Sequence, residues 1–314
     1  MHNLIFSLNA TMPVFLMMLL GLFFHKIGWV SDEFASNMNT FVFRVSLPVL
    51  LFSQLSSVDF ADVWDMKFVI FCFMATLLSI AIAFFIAHFL KDGSLKGEMV
   101  QASYRSSAAL LGIAYIQNIY GKATMASLMI IGAVPLYNIM AVVVLTITAP
   151  GNSSLDKTVM KKTLKGVITN PIIIGIIIGF VWSLLRIPIP VILKKTVDNI
   201  GSTSTPLGLM AMGASFDIKK AFGKAKPALF AAFMKLIGWA AIFLPIAVAM
   251  GFRKEKLIAI LIMLGSATTV SSYVMARNMH HEGILTSSVV MLTTMLCAFT
   301  LTFWIFVLKS LGLL

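Results

Sequence analysis

Ten apolar runs, each near the length needed to cross a lipid bilayer, follow one another with little between them. They occupy residues 4–27, 34–57, 68–90, 98–120, 123–148, 164–186, 191–215, 227–250, 257–279 and 283–308. A helix needs about 20 apolar residues to span the hydrocarbon core. Within lipid the chain must satisfy its own backbone hydrogen bonds, so these runs have to be helical. Of the 314 residues, 59% are hydrophobic and 11% charged, which excludes a soluble enzyme and leaves a polytopic membrane protein almost without extramembrane parts. The first run has no basic leader and no small-residue cleavage site before His25-Lys26, so it reads as a span rather than a removed signal peptide. Cys72 and Cys297 both lie in apolar runs, which leaves neither a disulfide framework nor a cysteine metal site, and no cofactor is expected.

The formal net charge is +12. In a soluble protein such an excess would point to a nucleic acid. In short loops it holds the cytoplasmic ends of spans, so no nucleic-acid partner is expected. With the N-terminus outside, the inner loops carry Lys26, Lys91, Lys96, Lys157, Lys161, Lys162, Lys165, Lys219, Lys220, Lys224, Lys226 and Arg277, or 12 residues. The outer side carries 9, namely Lys67, Lys122, Arg186, Lys194, Lys195, Arg253, Lys254, Lys256 and Lys309. This bias places both termini outside. Pro13, Pro48, Pro135, Pro171, Pro206 and Pro245 interrupt apolar runs, and kinks or local unwinding are expected there. Trp29, Trp64, Trp182 and Trp304 lie towards span ends, the place of an interfacial indole.

The chain also matches itself at an offset of 158 residues. Pro13 pairs with Pro171, Gly21 with Gly179, Ser46 with Ser204, Pro48 with Pro206, Leu51 with Leu209, Ser57 with Ser215 and Asp59 with Asp217. Further on, Ala114-Tyr115-Ile116 meets Ser272-Tyr273-Val274, after which the register slips. Five spans per unit is an odd number, so the second unit enters the membrane from the opposite side. The expected fold is all-α, with ten transmembrane helices in two inverted five-helix repeats, residues 1–150 and 151–314. Repeats of this kind build secondary transporters, with sites at the midplane between broken helices. Channels and intramembrane enzymes can contain repeats too, and fold alone names no substrate.

The fourth span of each unit carries the chemistry. The first has Ser106, Ser107 and Gly112 at its centre, and the second reads Gly265-Ser-Ala-Thr-Thr-Val-Ser-Ser272. Small and hydroxyl residues also let membrane helices pack closely. Half-helices broken at both places would instead aim backbone amides and positive dipole ends at one point, which suits an anion. Three basic side chains, Arg44, Arg105 and Lys235, cannot be placed at a span end, and no Asp or Glu is central in any span. Arg105 either snorkels to the cytoplasmic side or forks onto a carboxylate near the break. Lys235, eight residues past Pro227, either snorkels or neutralises an anion in transit, with snorkelling favoured. Arg44 shares a face with Asn37, Thr40 and Pro48 and reads as an interface residue. Glu98 and Asp198 lie near span ends, where solvation explains them, and His280 and His281 read as exposed loop residues. Asn138, three residues after Pro135, either caps the kink or faces a ligand. The candidate substrate-binding set is Arg105, Ser106, Ser107, Gly112, Asn138, Ser266, Thr268, Thr269, Ser271 and Ser272. Missing helical hydrogen bonds are expected near Ala108–Ala114 and Thr268–Ser272.

At these residues the chain resembles the auxin efflux carrier family, part of the bile acid/sodium symporter superfamily. The segments that carry the likeness are Gln101-Ala-Ser-Tyr-Arg105, Val134-Pro-Leu-Tyr-Asn138, Asn170-Pro-Ile-Ile-Ile-Gly175 and Thr205-Pro-Leu-Gly-Leu-Met-Ala-Met-Gly-Ala-Ser215. The resemblance implies a scaffold of spans 1, 2, 6 and 7, often dimeric, and a transport bundle of spans 3–5 and 8–10 in which broken spans 4 and 9 cross. It also implies small organic anions such as carboxylates and dicarboxylates, elevator-like motion, and a bacterial inner membrane as the location. The family's Asn before the span-4 break and its Gly-x-Pro after it are replaced here by Ser107 and Gly112-Ile113-Ala114, and its span-9 proline aligns with Ser272. Two alternatives stand beside an organic-anion carrier: a sodium-coupled symporter of the bile-acid type, and a membrane sensor that does not transport.

Overall fold

The computed structural model describes residues 2–57, 64–90, 92–108, 115–117, 119–120, 124–149 and 164–314, and among these there is no β-strand. Among the described residues, six helices are long and apolar enough to cross a membrane: α2 (Asp32–Ser56), α3 (Met66–His88), the segment Met125–Ile147 of α5 (Thr124–Ile147), α10 (Ala225–Ala249), the broken helix Lys254–Asn278 and α13 (Ile284–Ser310). Further helices accompany them. They are α1 (His2–Lys26), α4 (Lys96–Tyr104), α6 (Pro171–Leu184), α7 (Val191–Ser202), α8 (Ser204–Ala214) and the short α9 (Ile218–Gly223). The broken helix consists of α11 (Lys254–Gly265) and α12 (Val270–Asn278).

Polar residues start several of these helices by accepting backbone N–H groups that have no helical partner. Ser31 accepts from Phe34 at the start of α2, Asp65 from Phe68 before α3, and Asn170 from Ile172 before α6. Pro171 is therefore the first residue of α6 rather than an interior kink, a position where its missing N–H is harmless. Pro48 follows a widened π-helical turn at Val42–Ser46, which gives the ring room that a regular turn would deny it. α10 has a second such turn at Met234–Gly238, and this one carries Lys235.

α1 packs along α8, and the second half of α2 packs along α6. Both contacts are close enough to involve backbone. A Cβ on Gly21 would lie 2.3 Å from the Met210 carbonyl oxygen, and one on Gly179 would lie 2.9 Å from that of Phe52. Gly21 and Gly179 are 158 residues apart, and so are Phe52 and Met210. At Gly213 the added atom would meet the Met18 carbonyl at 2.0 Å. A second group joins α3, α4, α5, α10, α11 and α13, and its buried apolar side chains form most of the main core. Large apolar side chains such as Phe73, Phe84, Phe299, Phe303 and Phe306 remain exposed on helix flanks, as a lipid solvent requires.

Candidate functional site

α4 stops at Tyr104, where Arg105 turns into extended backbone (φ −70°, ψ 131°), and α11 stops at Gly265, where Ser266 does the same (φ −80°, ψ 166°). The gaps at Arg105–Ser107 and Ser266–Thr269 touch directly, since the Ser107 N–H donates to the Ala267 carbonyl at 2.9 Å. The span-9 gap begins two residues before the expected Thr268, and Ser271 and Ser272 lie inside α12. Span 4 already leaves the helix at Arg105; the expected stretch beyond Ala108, with Gly112, lies outside the described residues.

The physical reason for these stopping points is visible in the last carbonyls of each half-helix, which have no amide four residues on. In α4, the Ala102 carbonyl accepts from Thr268 Oγ1 at 2.7 Å and the Ser103 carbonyl from Trp239 Nε1 at 2.7 Å. In α11, the Met263 carbonyl accepts from the hydroxyls of Ser106 and Tyr137, and the Leu264 carbonyl from Lys235 Nζ at 2.5 Å. Each break thus supplies a hydroxyl that caps the other half-helix. The amides expected to stay open for an anion are in part taken: that of Ser107 by Ala267, and that of Thr268 by Thr293 Oγ1 at 3.0 Å. A buried N–H left unpaired would cost about as much as a lost hydrogen bond, so they close onto protein.

Positive charge at the crossing therefore comes from a side chain. Arg105 is 1% exposed, which rules out snorkelling. Its Nη2 donates to Asn138 Oδ1 and to Ser271 Oγ, each at 2.8 Å, while Nη1 lies against Met275 Sδ and 3.5 Å from Gln101 Oε1. Among the described residues no carboxylate pairs with it. Its Nε, like the hydroxyls of Ser266 and Ser272, is buried without a hydrogen-bond partner among the described residues. Asn138 takes the capping role, since Nδ2 donates to the Val134 carbonyl at 2.9 Å, while Oδ1 accepts from Arg105. Thr269 Oγ1 lies 3.2 Å from Ser271 Oγ and joins the same cluster. The structure thus brings together every candidate residue it describes.

Several expectations are corrected. Lys235 does not snorkel: it is fully buried on the end of α11. Glu98 is not solvated but 1% exposed, accepting from the Gly283 and Thr286 amides at 2.8 and 2.9 Å and from the Thr286 hydroxyl at 3.0 Å. It caps the positive end of α13 from another helix, where a carboxylate is favoured. His281 is buried with Nε2 2.9 Å from the Leu145 carbonyl, whereas His280 is exposed as expected. Arg44 is exposed and Asp198 half-exposed, the latter accepting from Ser53 at 2.5 Å. Residues given no role from sequence also enter the site: Gln101, which donates to the Ser272 carbonyl at 2.9 Å, and Tyr137, Trp239 and Thr293. Gln101 and Tyr137 stand inside the family-like segments, and that is the one signal that could have singled them out.

A cavity of 690 Å³ opens between α1 and α8 on one side and α12 and α13 on the other. Tyr273 and Ser287 line it, and its mouth carries Lys26, Lys219, Lys220 and Arg277 against Asp32, Asp217 and Glu282. Asp32 is engaged by His25 at 3.1 Å and Glu282 by Lys224 at 2.6 Å, so the field at the mouth is positive.

None of the curated proteins compared with the chain is a significant match. A family described as "Membrane transport protein" matches residues 6–305, nearly the whole chain and both helix breaks. With its apolar helices, two crossed breaks and buried cation, this chain is an integral membrane protein that belongs to that family, the auxin efflux carrier family of transporters.

Proposed function

We propose that the protein is a secondary transporter of a small organic anion, a mono- or dicarboxylate, bound where the broken fourth and ninth spans cross. The carrying observation is Arg105: a guanidinium buried at the crossing, with no carboxylate partner among the described residues and a free Nε. A buried cation is costly unless a negative group accompanies it, and a substrate carboxylate is such a group. Asn138, Ser266, Thr269, Ser271 and Ser272 would supply neutral hydrogen bonds around it, with Ser106, Ser107 and Thr268 forming the breaks.

The reading has ten spans in two inverted repeats. Its support is the reciprocal pairing of Gly21 with Met210 and of Gly179 with Phe52, the relation expected of two units exchanged by a two-fold axis. The glycine-tight contacts suit spans 1, 2, 6 and 7 as a rigid scaffold, through which two copies would pair and against which the bundle of spans 3–5 and 8–10 would slide. The basic-residue count puts the cavity on the cytoplasmic side, where its positive mouth would concentrate anions.

The test is counterflow in proteoliposomes. Vesicles loaded with unlabelled carboxylate should accumulate the same labelled anion transiently, and Arg105→Met should abolish that accumulation. Binding of a carboxylate by the purified protein without any exchange would make it a sensor and overturn the proposal.

A further inference from the structure

Arg105 is one of two buried cations at the crossing, and the other has a different setting. Lys235 leaves α10 at its widened turn, is fully buried, and places Nζ 2.5 Å from the Leu264 carbonyl. That carbonyl lies in the last turn of α11, where the helix stops at Gly265 and no amide four residues on can claim it. The end of a helix carries about half a negative charge. Half-helix C-termini and unwound carbonyls are also the groups with which transporters hold sodium ions. Among the described residues no carboxylate pairs with Lys235. Compact, strongly hydrated and carried on a flexible stem, an ammonium is the side chain nearest in character to a metal cation.

We propose that Lys235 is a built-in cation occupying the cation position at the end of α11. The crossing then needs no sodium or other metal ion to hold its carbonyls, and shortening this side chain turns the position into a site for a monovalent metal cation. In transport this deepens the proposed function and rests on it: anion movement would be independent of sodium, unlike that of a bile-acid-type symporter. The cation position itself is testable without any carboxylate.

The experiment is thermal unfolding of the purified full chain in sodium, lithium, potassium or choline chloride at equal ionic strength. The wild-type midpoint should be the same in sodium and choline. Lys235→Ser should unfold roughly 2–10 °C lower in choline, the shift for losing one buried hydrogen-bond partner in a chain of this size, and added sodium or lithium should raise it saturably. Lys235→Arg, which keeps a cation, should stay insensitive to the salt. A wild-type midpoint that climbs saturably with sodium overturns the proposal, as does a Lys235→Ser protein equally destabilised in every salt. Should Lys235→Ser not fold, the wild-type and Lys235→Arg arms decide. Because chloride is the same in every arm and no carboxylate is present, failure here leaves organic-anion transport standing, and absence of counterflow leaves the cation result standing.

Discussion

Replacing Arg105 with Met separates what the guanidinium does for the fold from what it does for a ligand. In the folded protein it makes two good hydrogen bonds, to Asn138 and Ser271 at 2.8 Å. Truncation leaves Asn138 Oδ1 buried without that donor, a loss of about 1–3 kcal/mol, but it also removes a buried charge whose desolvation opposes folding by a comparable amount. The midpoint without ligand should therefore move little, in either direction. Ligand binding behaves differently. A charge-assisted bond from Nε to a carboxylate contributes about 1.5–3 kcal/mol, so losing it weakens affinity roughly 10- to 100-fold. At a carboxylate concentration 100 times Kd, wild-type protein gains about 2.7 kcal/mol of apparent stability, and a 100-fold weaker variant about 0.4 kcal/mol. The assay is a thermal-shift titration with a panel of mono- and dicarboxylates, run on wild type, Arg105→Met and Arg105→Lys. Lys keeps the charge but not the fork and should fall between the two. A Met variant that retains the full carboxylate-dependent shift would refute the assignment of Arg105 as the anion partner.

Gly213→Ala should lower thermal stability by about 1–3 kcal/mol, because the added Cβ would sit 2.0 Å from the Met18 carbonyl and push two backbones apart; a variant as stable as wild type in detergent would show that α1 and α8 are not so close. Glu98→Ala should cost about 1–3 kcal/mol by stranding the amides of Gly283 and Thr286 at the start of α13, and an unchanged unfolding midpoint would count against the cross-helix cap. For orientation, exposed Lys220→Cys should react with an impermeant maleimide only from the cytoplasmic side and exposed Lys195→Cys only from outside. Labelling in intact cells with the opposite pattern would invert the topology.

Features that depend on neighbours in sequence were legible. Apolar runs located the long helices, and a hydroxyl-rich stretch located the span-9 break to within two residues. Arg105 stood out because a charge in an apolar run needs a reason. What escaped were pairings between distant parts of the chain. Glu98 looks like a span-end residue until α13 is brought onto it from 185 residues away. The span-9 break starts two residues before the expected position, since its boundary is set by donors on other helices: Ser106 and Tyr137 for the Met263 carbonyl, Lys235 for that of Leu264. Lys235 itself reads as a snorkelling side chain because nothing local reveals that a carbonyl end waits 29 residues further on.

The same carbonyls explain how both helices break without the family's prolines. Proline opens a helix by removing one N–H and crowding the carbonyl four residues earlier. Here the opening is held from the acceptor side. Four consecutive-turn carbonyls, those of Ala102, Ser103, Met263 and Leu264, are each claimed by a side-chain donor from another element. A continuous helix would have to displace Thr268, Trp239, Ser106, Tyr137 and Lys235 from those carbonyls, leaving five buried donors unpaired, at about 1–3 kcal/mol each and more for the ammonium. Reforming a few helical hydrogen bonds returns only about 1 kcal/mol apiece. The imbalance favours the broken state by several kcal/mol, so Ser107, Ala114 and Ser272 can stand where the family has other residues. The two buried cations are thus held differently, Lys235 on the negative end of α11 and Arg105 on the neutral side chains of Asn138 and Ser271.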